Sequence, residues 1–427
     1  MSELPPPATA TAELPYSSWT AWLVTLVATS TMTISYLDRQ VLAVLAPTIS
    51  ERLEIDEQHY GWLQSAFSLS YLVFAPLAGR MLERLGVRRG LVLAVAAWTL
   101  VSAAHALAAS FAALFVLRIL LGAAEAPSFP GAAATITRTQ SASARARAVG
   151  VLFTGSSVGA MLAPPLATYL ATRSESHGVQ VAFVGVAIVG LAWIPCWLLA
   201  TSRRAIRDRL DAPPASAPAA SMLQLFRHPA VWQACVLVAC ASPLFAFVLL
   251  WGSKLLHDAF GVPQADMGRY LWIPPVFYDL GAVVFGHFAS VHTKRHGERR
   301  APAALLILAA SLASAFLGLA VCRTPWEVVA AASVAMAGGG GLFAIVTADM
   351  LGRVGARSSA TAGGATASAQ ALMYVIGNLL FGAGVAAFHG YREVILAIGV
   401  LLLPGALAWL ALRRWASADL AAPVAST

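Results

Sequence analysis

Charge is what this chain has little of. Of 427 residues, 11% are charged and 59% apolar, with a mean hydropathy of +0.72. A soluble domain carries roughly 25% charged residues, so most of this surface faces something other than water. Lysine is nearly missing: among 28 basic residues only Lys254 and Lys294 are lysine, and the arginine and alanine richness suits a GC-rich bacterial genome. The four cysteines, Cys196, Cys235, Cys240 and Cys322, fall in or at the ends of apolar runs. Their spacing matches neither a metal site nor a disulfide framework, and they read as small apolar filler. No nucleophile with its base, metal cluster or nucleotide loop stands out, which argues against an enzyme. The net charge of +8 would suit nucleic acid only if it were gathered on one soluble face. Here it is spread over short loops, so no nucleic acid partner is expected. Residues 1–18 form a Pro/Ala/Thr/Ser tail without a signal peptide's basic start, and the first apolar run is too long to be a signal core.

What the chain does have is long apolar runs. A span needs about 20 mostly apolar residues, and such runs occur near 20–47, 59–80, 89–109, 111–136, 145–171, 179–200, 229–256, 268–291, 301–322, 326–352, 361–388 and 391–413. Arginine placement checks the count. Basic residues gather at Arg84, Arg88 and Arg89, at Arg138, Arg145 and Arg147, and at Arg203, Arg204, Arg207 and Arg209. They recur at Lys294, Arg295, Arg299 and Arg300, at Arg353 and Arg357, and at Arg413 and Arg414. These are the loops after even-numbered spans plus the C-terminus, whereas the first opposite loop, from Glu51 to Glu57, is acidic. The positive-inside rule then puts both termini in the cytoplasm of a bacterial inner membrane. The longest polar stretch divides the spans six and six. The expected fold is all-α: a 1–18 tail, a six-helix bundle over 19–200, a cytoplasmic linker over 201–228, a second bundle over 229–415 and a 416–427 tail. Two pseudo-symmetric bundles suit a transporter built from repeats.

Inside the spans a few charges remain: Asp38 and Arg39 in the first, Arg118 and Glu125 in the fourth, and Asp279 in the eighth. Each costs roughly 2.5–3.5 kcal/mol at the bilayer centre, so folding alone does not account for them. Arg118 and Glu125 are two turns apart and share a helix face. Counted at 1.5 Å per residue, Arg118 lies roughly 10 Å deep and Arg39 roughly 12 Å from the same surface. Two guanidiniums at one level can clamp a planar anion such as a carboxylate. A neighbouring carboxylate whose proton affinity follows burial and arginine contact can take and release a proton as access changes. The other reading of these residues is interhelical ion pairing that fixes the first span to the fourth.

At these positions the chain resembles the major facilitator superfamily, and within it the anion:cation symporter family of organic-anion importers. The segment from Arg118 to Pro130 looks like that family's helix 4 signature, and Tyr36-Leu-Asp38-Arg39 with Tyr71 resembles its sugar-acid importers. The run from Gly79 to Arg89 is similar to the superfamily's loop between helices 2 and 3, with Glu83 where Asp is usual. Trp272 to Gly281, Gly338 to Gly341 and Asp349 to Arg353 look like the hexuronate-type branch. The resemblance implies that Arg39 and Arg118 engage substrate or coupling carboxylates, that Asp38 and Glu125 carry protons, and that Tyr71 hydrogen-bonds substrate. Gln370 and Asn378 would recognise hydroxyls from the second half; interhelical hydrogen bonding is their alternative. Trp251 and Tyr278 are further cavity candidates. Glu83, Arg84, Arg88, Asp279, Asp349 and Arg353 are candidates for gating or structure. Seven other tryptophans, Trp22, Trp62, Trp98, Trp193, Trp197, Trp326 and Trp409, lie near span ends and suit an interfacial belt. Gly155 with Gly159, and Gly338 to Gly341, suit close helix packing.

The expected function is proton-coupled import of a small organic anion, such as a hexuronate or aldonate, by alternating access. An organic-anion exchanger or drug-type exporter of the same superfamily is the alternative, and a polytopic sensor or membrane enzyme a remote one. The protein is expected to work as a monomer in the lipid bilayer, with protons as coupling ion and no cofactor or metal.

Overall fold

The computed structural model describes residues 15–141, 144–212, 228–296, 302–354 and 359–415. Most of the expected tails and linker, and Arg299, Arg300 and Arg357 of the basic loops, lie outside the described residues. Twelve described helices are long and apolar enough to cross a membrane. They are α1 (Ser18–Val44), α2 (Glu57–Leu85), α3 (Val87–Leu107), α4 (Phe111–Thr139), α5 (Arg147–Ala171) and α6 (Gly178–Ala200). After the linker come α7 (Pro229–Leu250), α8 (Gln264–His292), α9 (Ala303–Val321), α10 (Pro325–Met350), α11 (Ala362–Phe388) and α12 (Arg392–Ala411). The described residues contain no strand.

Local chemistry sets the ends. Ser17, Asp56 and Ser110 cap α1, α2 and α4, each side-chain oxygen accepting the backbone N–H three residues on. Gly86, at φ 78°, turns the chain between α2 and α3. Two apolar runs are broken where hydropathy alone reads through. The first yields at Leu45 to the short helix Ala46–Leu53, and the seventh at Trp251 to the short helix Gly252–Phe260. Within α4 the helix Phe111–Glu125 stops and restarts as Ser128–Thr139. Pro127 lies in that break and Pro130 just beyond it, and neither can donate to the ladder.

Helices pack closely where Cβ atoms are missing. On α5, Gly159 sits against the Thr33 carbonyl of α1; on α10, Gly340 sits against the Tyr278 carbonyl of α8. The tryptophan belt needs correction. Trp98, Trp193, Trp197 and Trp409 are buried within the protein. Trp193 and Trp197 stack at 5.3 Å and donate to the carbonyls of Val27 and Arg88. Trp62 and Trp326 remain exposed. A position near a span end gives depth but not rotation about the helix, and these indoles point inward.

The two halves meet at one end. There Tyr60 donates to the Leu250 carbonyl at 2.5 Å, Ser65 to the Val375 carbonyl at 2.8 Å, and Gln264 to the Val44 carbonyl at 2.9 Å. Gly61 of α2 and Gly382 of α11 each lie against backbone of the other helix, where a Cβ would collide. Lys254 is buried and pairs with Glu57 at 2.9 Å and Asp258 at 3.8 Å, and Tyr391 donates to Asp258 at 2.5 Å. Burial, helped by the Glu57 and Asp258 carboxylates, pushes the Tyr391 hydroxyl up from its ordinary value and keeps it a donor. Towards the opposite end, Gly79 of α2, Gly150 of α5, and Gly363 and Gly364 of α11 face open space.

Candidate functional site

The site grows from the polar residues of α1, α2 and α4 where they approach the seam between the halves. Glu125 is the last residue before the α4 break and is fully buried. Its Oε2 accepts from Arg39 Nε at 2.8 Å and from Ser35 Oγ at 2.6 Å. Ser35 and Arg39 are one turn apart on α1, so that face is matched to the end of α4. The Arg39 guanidinium lies over three rings: Tyr71 at 4.6 Å, Tyr36 at 4.8 Å and Phe67 at 4.9 Å. Its side chain is 16% exposed while Glu125 is sealed. The arginine side chain therefore stays partly accessible, its Nη2 excepted, while the carboxylate is shut away.

Arg118 sits at 4.7 Å over the same Phe67 ring but is itself buried. Its Nη2 donates to Gln64 Oε1 at 2.8 Å, and Gln64 Nε2 donates to Tyr60 Oη at 2.7 Å. Tyr60 in turn donates to the Leu250 carbonyl across the seam. This arginine is thus wired to the closed end, although it shares a face of α4 with Glu125. Asp38 is buried and accepts from Ser102 Oγ at 2.5 Å. No cation pairs with Asp38 among the described residues, so ion pairing with an arginine is not what holds it here. Arg39 Nη2, Arg118 Nη1, Glu125 Oε1 and Asp38 Oδ2 are all buried without a hydrogen-bond partner. Each such atom costs about 1–3 kcal/mol of desolvation, and four of them cluster on this wall.

The second half faces the wall with aromatic rings. Tyr278 packs edge-on against Phe245 at 5.1 Å. Tyr374 lies one turn before Asn378 on α11 and is partly buried. Trp251 and Asn378 are fully buried in the closed seam, where indole Nε1 donates to Asn378 Oδ1 at 2.8 Å. Asn378 Nδ2 donates back to the Tyr374 carbonyl. Gln370 is half-buried, two turns from Asn378 on α11.

Glu83, Arg84, Arg88, Asp349 and Arg353 stand apart from this group, and Asp279 joins it only through α5. Glu83 and Arg84 are exposed at the end of α2. Arg88 donates to Thr201 Oγ1 at 2.9 Å inside its own half. Arg353 pairs with Asp349 at 2.7 Å and donates to Gln233, joining α10 to α7. Asp279 accepts from Ser157 Oγ at 2.6 Å, a bond from α5 to α8 across the seam. No group of three or more His, Cys, Asp or Glu residues suited to a metal occurs among the described residues. Ser35, Gln64, Phe67, Ser102 and Tyr374 were missed by sequence reasoning. The available signal was polarity or aromaticity within a span, and of the five Ser35 alone lies one turn from a charged residue, Arg39.

Twelve spans in two halves around a charged seam define a membrane transporter, not an enzyme. The chain belongs to the Major Facilitator Superfamily, whose family profile matches residues 28–378. It is 30% identical over 287 residues to a galacturonate transporter of Dickeya chrysanthemi, covering 64% of this chain and 82% of that protein. It is 28% identical to a hexuronate transporter of Escherichia coli K12, covering 65% of this chain and 66% of the relative. A protein of the same strain named as a probable L-galactonate transporter matches at 25% identity, over 89% of this chain and 86% of its own length. Among solved structures, a bacterial homologue of the human lysosomal transporter Spinster, inward-facing and occupied, superimposes with a TM-score of 0.77. At 19% identity, covering 94% of this chain and 98% of that one, it supports the fold. The resemblance read from the first and fourth spans thus holds.

Proposed function

We propose that this chain imports a small organic anion, a sugar acid of the hexuronate or aldonate kind, together with protons. The bundles over 19–200 and 229–415 would rock about the seam, both termini in the cytoplasm of a bacterial inner membrane, the protein acting as a monomer. The observation that carries the reading is the Arg39–Glu125 pair, a partly accessible cation on a fully buried anion. A substrate carboxylate offers Arg39 the same bidentate partner that Glu125 offers only through one oxygen. When the substrate takes the guanidinium, Glu125 loses its countercharge, and losing a cation favours the protonated form of a buried carboxylate. Substrate and proton then load together. Release of the substrate to the other side returns Arg39 to Glu125, which gives up the proton there. Asp38, held by Ser102 alone, is the second proposed proton carrier. Arg118, through Gln64 and Tyr60, links this wall to the closed end, so occupancy can bias which end is shut.

The relatives' names support the substrate class. The test is uptake of radiolabelled carboxylates into proteoliposomes with the outside acidic. Galacturonate or galactonate should accumulate above the outside concentration, and an uncoupler should abolish the accumulation. Accumulation that ignores the uncoupler but requires sodium, or an anion loaded inside, would replace this reading with sodium symport or exchange.

A further inference from the structure

Asp279 is an ionisable residue near the middle of α8, and nothing above gives it a task. Its Oδ1 accepts from Ser157. Its Oδ2 has no hydrogen-bond partner and is not among the buried polar atoms, so it opens to solvent-sized space. No arginine, lysine or histidine pairs with it among the described residues. A carboxylate within a span and without a cation is costly, and a packing bond to one hydroxyl does not require it, since Asn or Ser would serve equally.

Its placement suggests what it does. Ser157 belongs to the first half, so Asp279 reaches across the seam towards the half that bears Arg39. Gly159, two residues on from Ser157, lies against Tyr36, and Tyr36 sits under the Arg39 guanidinium at 4.8 Å. One seam therefore carries a cation on the first half and a carboxylate on the second, with Tyr36 and the α5 face between. A carboxylate accepts two hydroxyl hydrogen bonds well, and in a weakly screened space it repels a second carboxylate strongly.

We propose that Asp279 is a specificity-determining residue, which accepts hydrogen bonds from the hydroxylated end of the substrate and excludes acids carrying a second carboxylate there. The inference rests on the sugar-acid reading and narrows it to polyhydroxylated monocarboxylates. It is tested by competition against labelled galacturonate uptake in proteoliposomes of the full chain. Galacturonate is a pyranose and galactarate an open chain, so ring form and second charge change together, and the monomethyl ester of galactarate, an open chain with one charge, separates them. Wild type should be inhibited about tenfold or more weakly by galactarate than by unlabelled galacturonate. The monomethyl ester of galactarate, which removes the second charge, should compete within about threefold of galacturonate. Asp279→Asn should bring galactarate itself to within about threefold, while Ser157→Ala, which keeps the carboxylate, should leave the wild-type ratio in place. Equal inhibition of wild type by galactarate and galacturonate would overturn the inference alone, as would an ester no better than the diacid. If Asp279→Asn does not fold, the ester comparison on wild type decides the matter. Failure of wild type to take up galacturonate at all would remove the transport reading and this inference with it.

Discussion

Charge within the spans is concentrated in the first half, where Asp38, Arg118 and Glu125 are buried and Arg39 is partly buried inside α1 and α4. The second half carries Asp279 alone near the middle of a described span, and otherwise presents Tyr278, Tyr374 and the Trp251–Asn378 pair. Its other buried charges lie near span ends: Lys254 beside the closed seam, and Asp349 where α10 finishes. The difference indicates a division of labour. Under the proposed function, ion binding and proton exchange would belong to one bundle and hydroxyl recognition to the other, while both supply the closed seam.

Removing the cation should break that division most completely. Arg39→Ala leaves Glu125 buried without its partner, and breaking a buried pair costs about 3–5 kcal/mol. Substrate affinity should fall at least about 100-fold, measured by calorimetric titration of purified protein; a loss below tenfold would shift the anion site away from α1. Next comes closure. Lys254→Met removes the buried amine that joins Glu57 of the first half to Asp258 of the second. The closed end should open more often, so that a reporter Ser65→Cys, buried in the seam opposite Val375, is alkylated about tenfold faster, the effect of about 1.4 kcal/mol. Unchanged alkylation would mean that apolar packing alone holds the seam.

The smallest expected effect is at Asp56, outside both the site and the seam. Burial works to raise its carboxyl, but the backbone N–H and ring of His59 outweigh it and hold the group below the usual carboxylate range. A depressed carboxylate contributes stability above its unfolded value and loses it as pH falls through the folded value. Asp56→Ala should therefore lower thermal stability at neutral pH by about 0.5–2 kcal/mol and less in acid, with transport per folded molecule unchanged. A transport defect would tie the α2 cap to function.

Much of this was legible before any coordinates. Spans are long apolar runs whose cost of exposure dominates every local preference, so the twelve were readable from composition, and the arginine loops gave an independent check. The charged positions were readable for the same reason, since Arg39 or Glu125 inside such a run has no inexpensive alternative. Partner choice was not readable. Arg118 shares a helix face with Glu125, yet Glu125 bonds Arg39 of another helix, because neighbours across an interface depend on helix rotation and rotamers. The α4 break at Ala126 and Pro127 ends the helix at Glu125, a detail that periodicity does not carry. Ser35, Ser102 and Gln64 look like ordinary small polar residues until a charged neighbour is placed against them. The breaks at Leu45 and Trp251 escaped notice because hydropathy continues across them while the backbone does not.

The most direct measurement concerns Glu125 itself. In proteoliposomes, Glu125→Gln keeps the shape of the wall but cannot release a proton. The account predicts that the variant exchanges labelled for unlabelled substrate yet fails to concentrate it when the outside is acidic. A variant that still accumulates substrate under the pH gradient as wild type does would contradict the claim that the Arg39–Glu125 pair couples anion to proton.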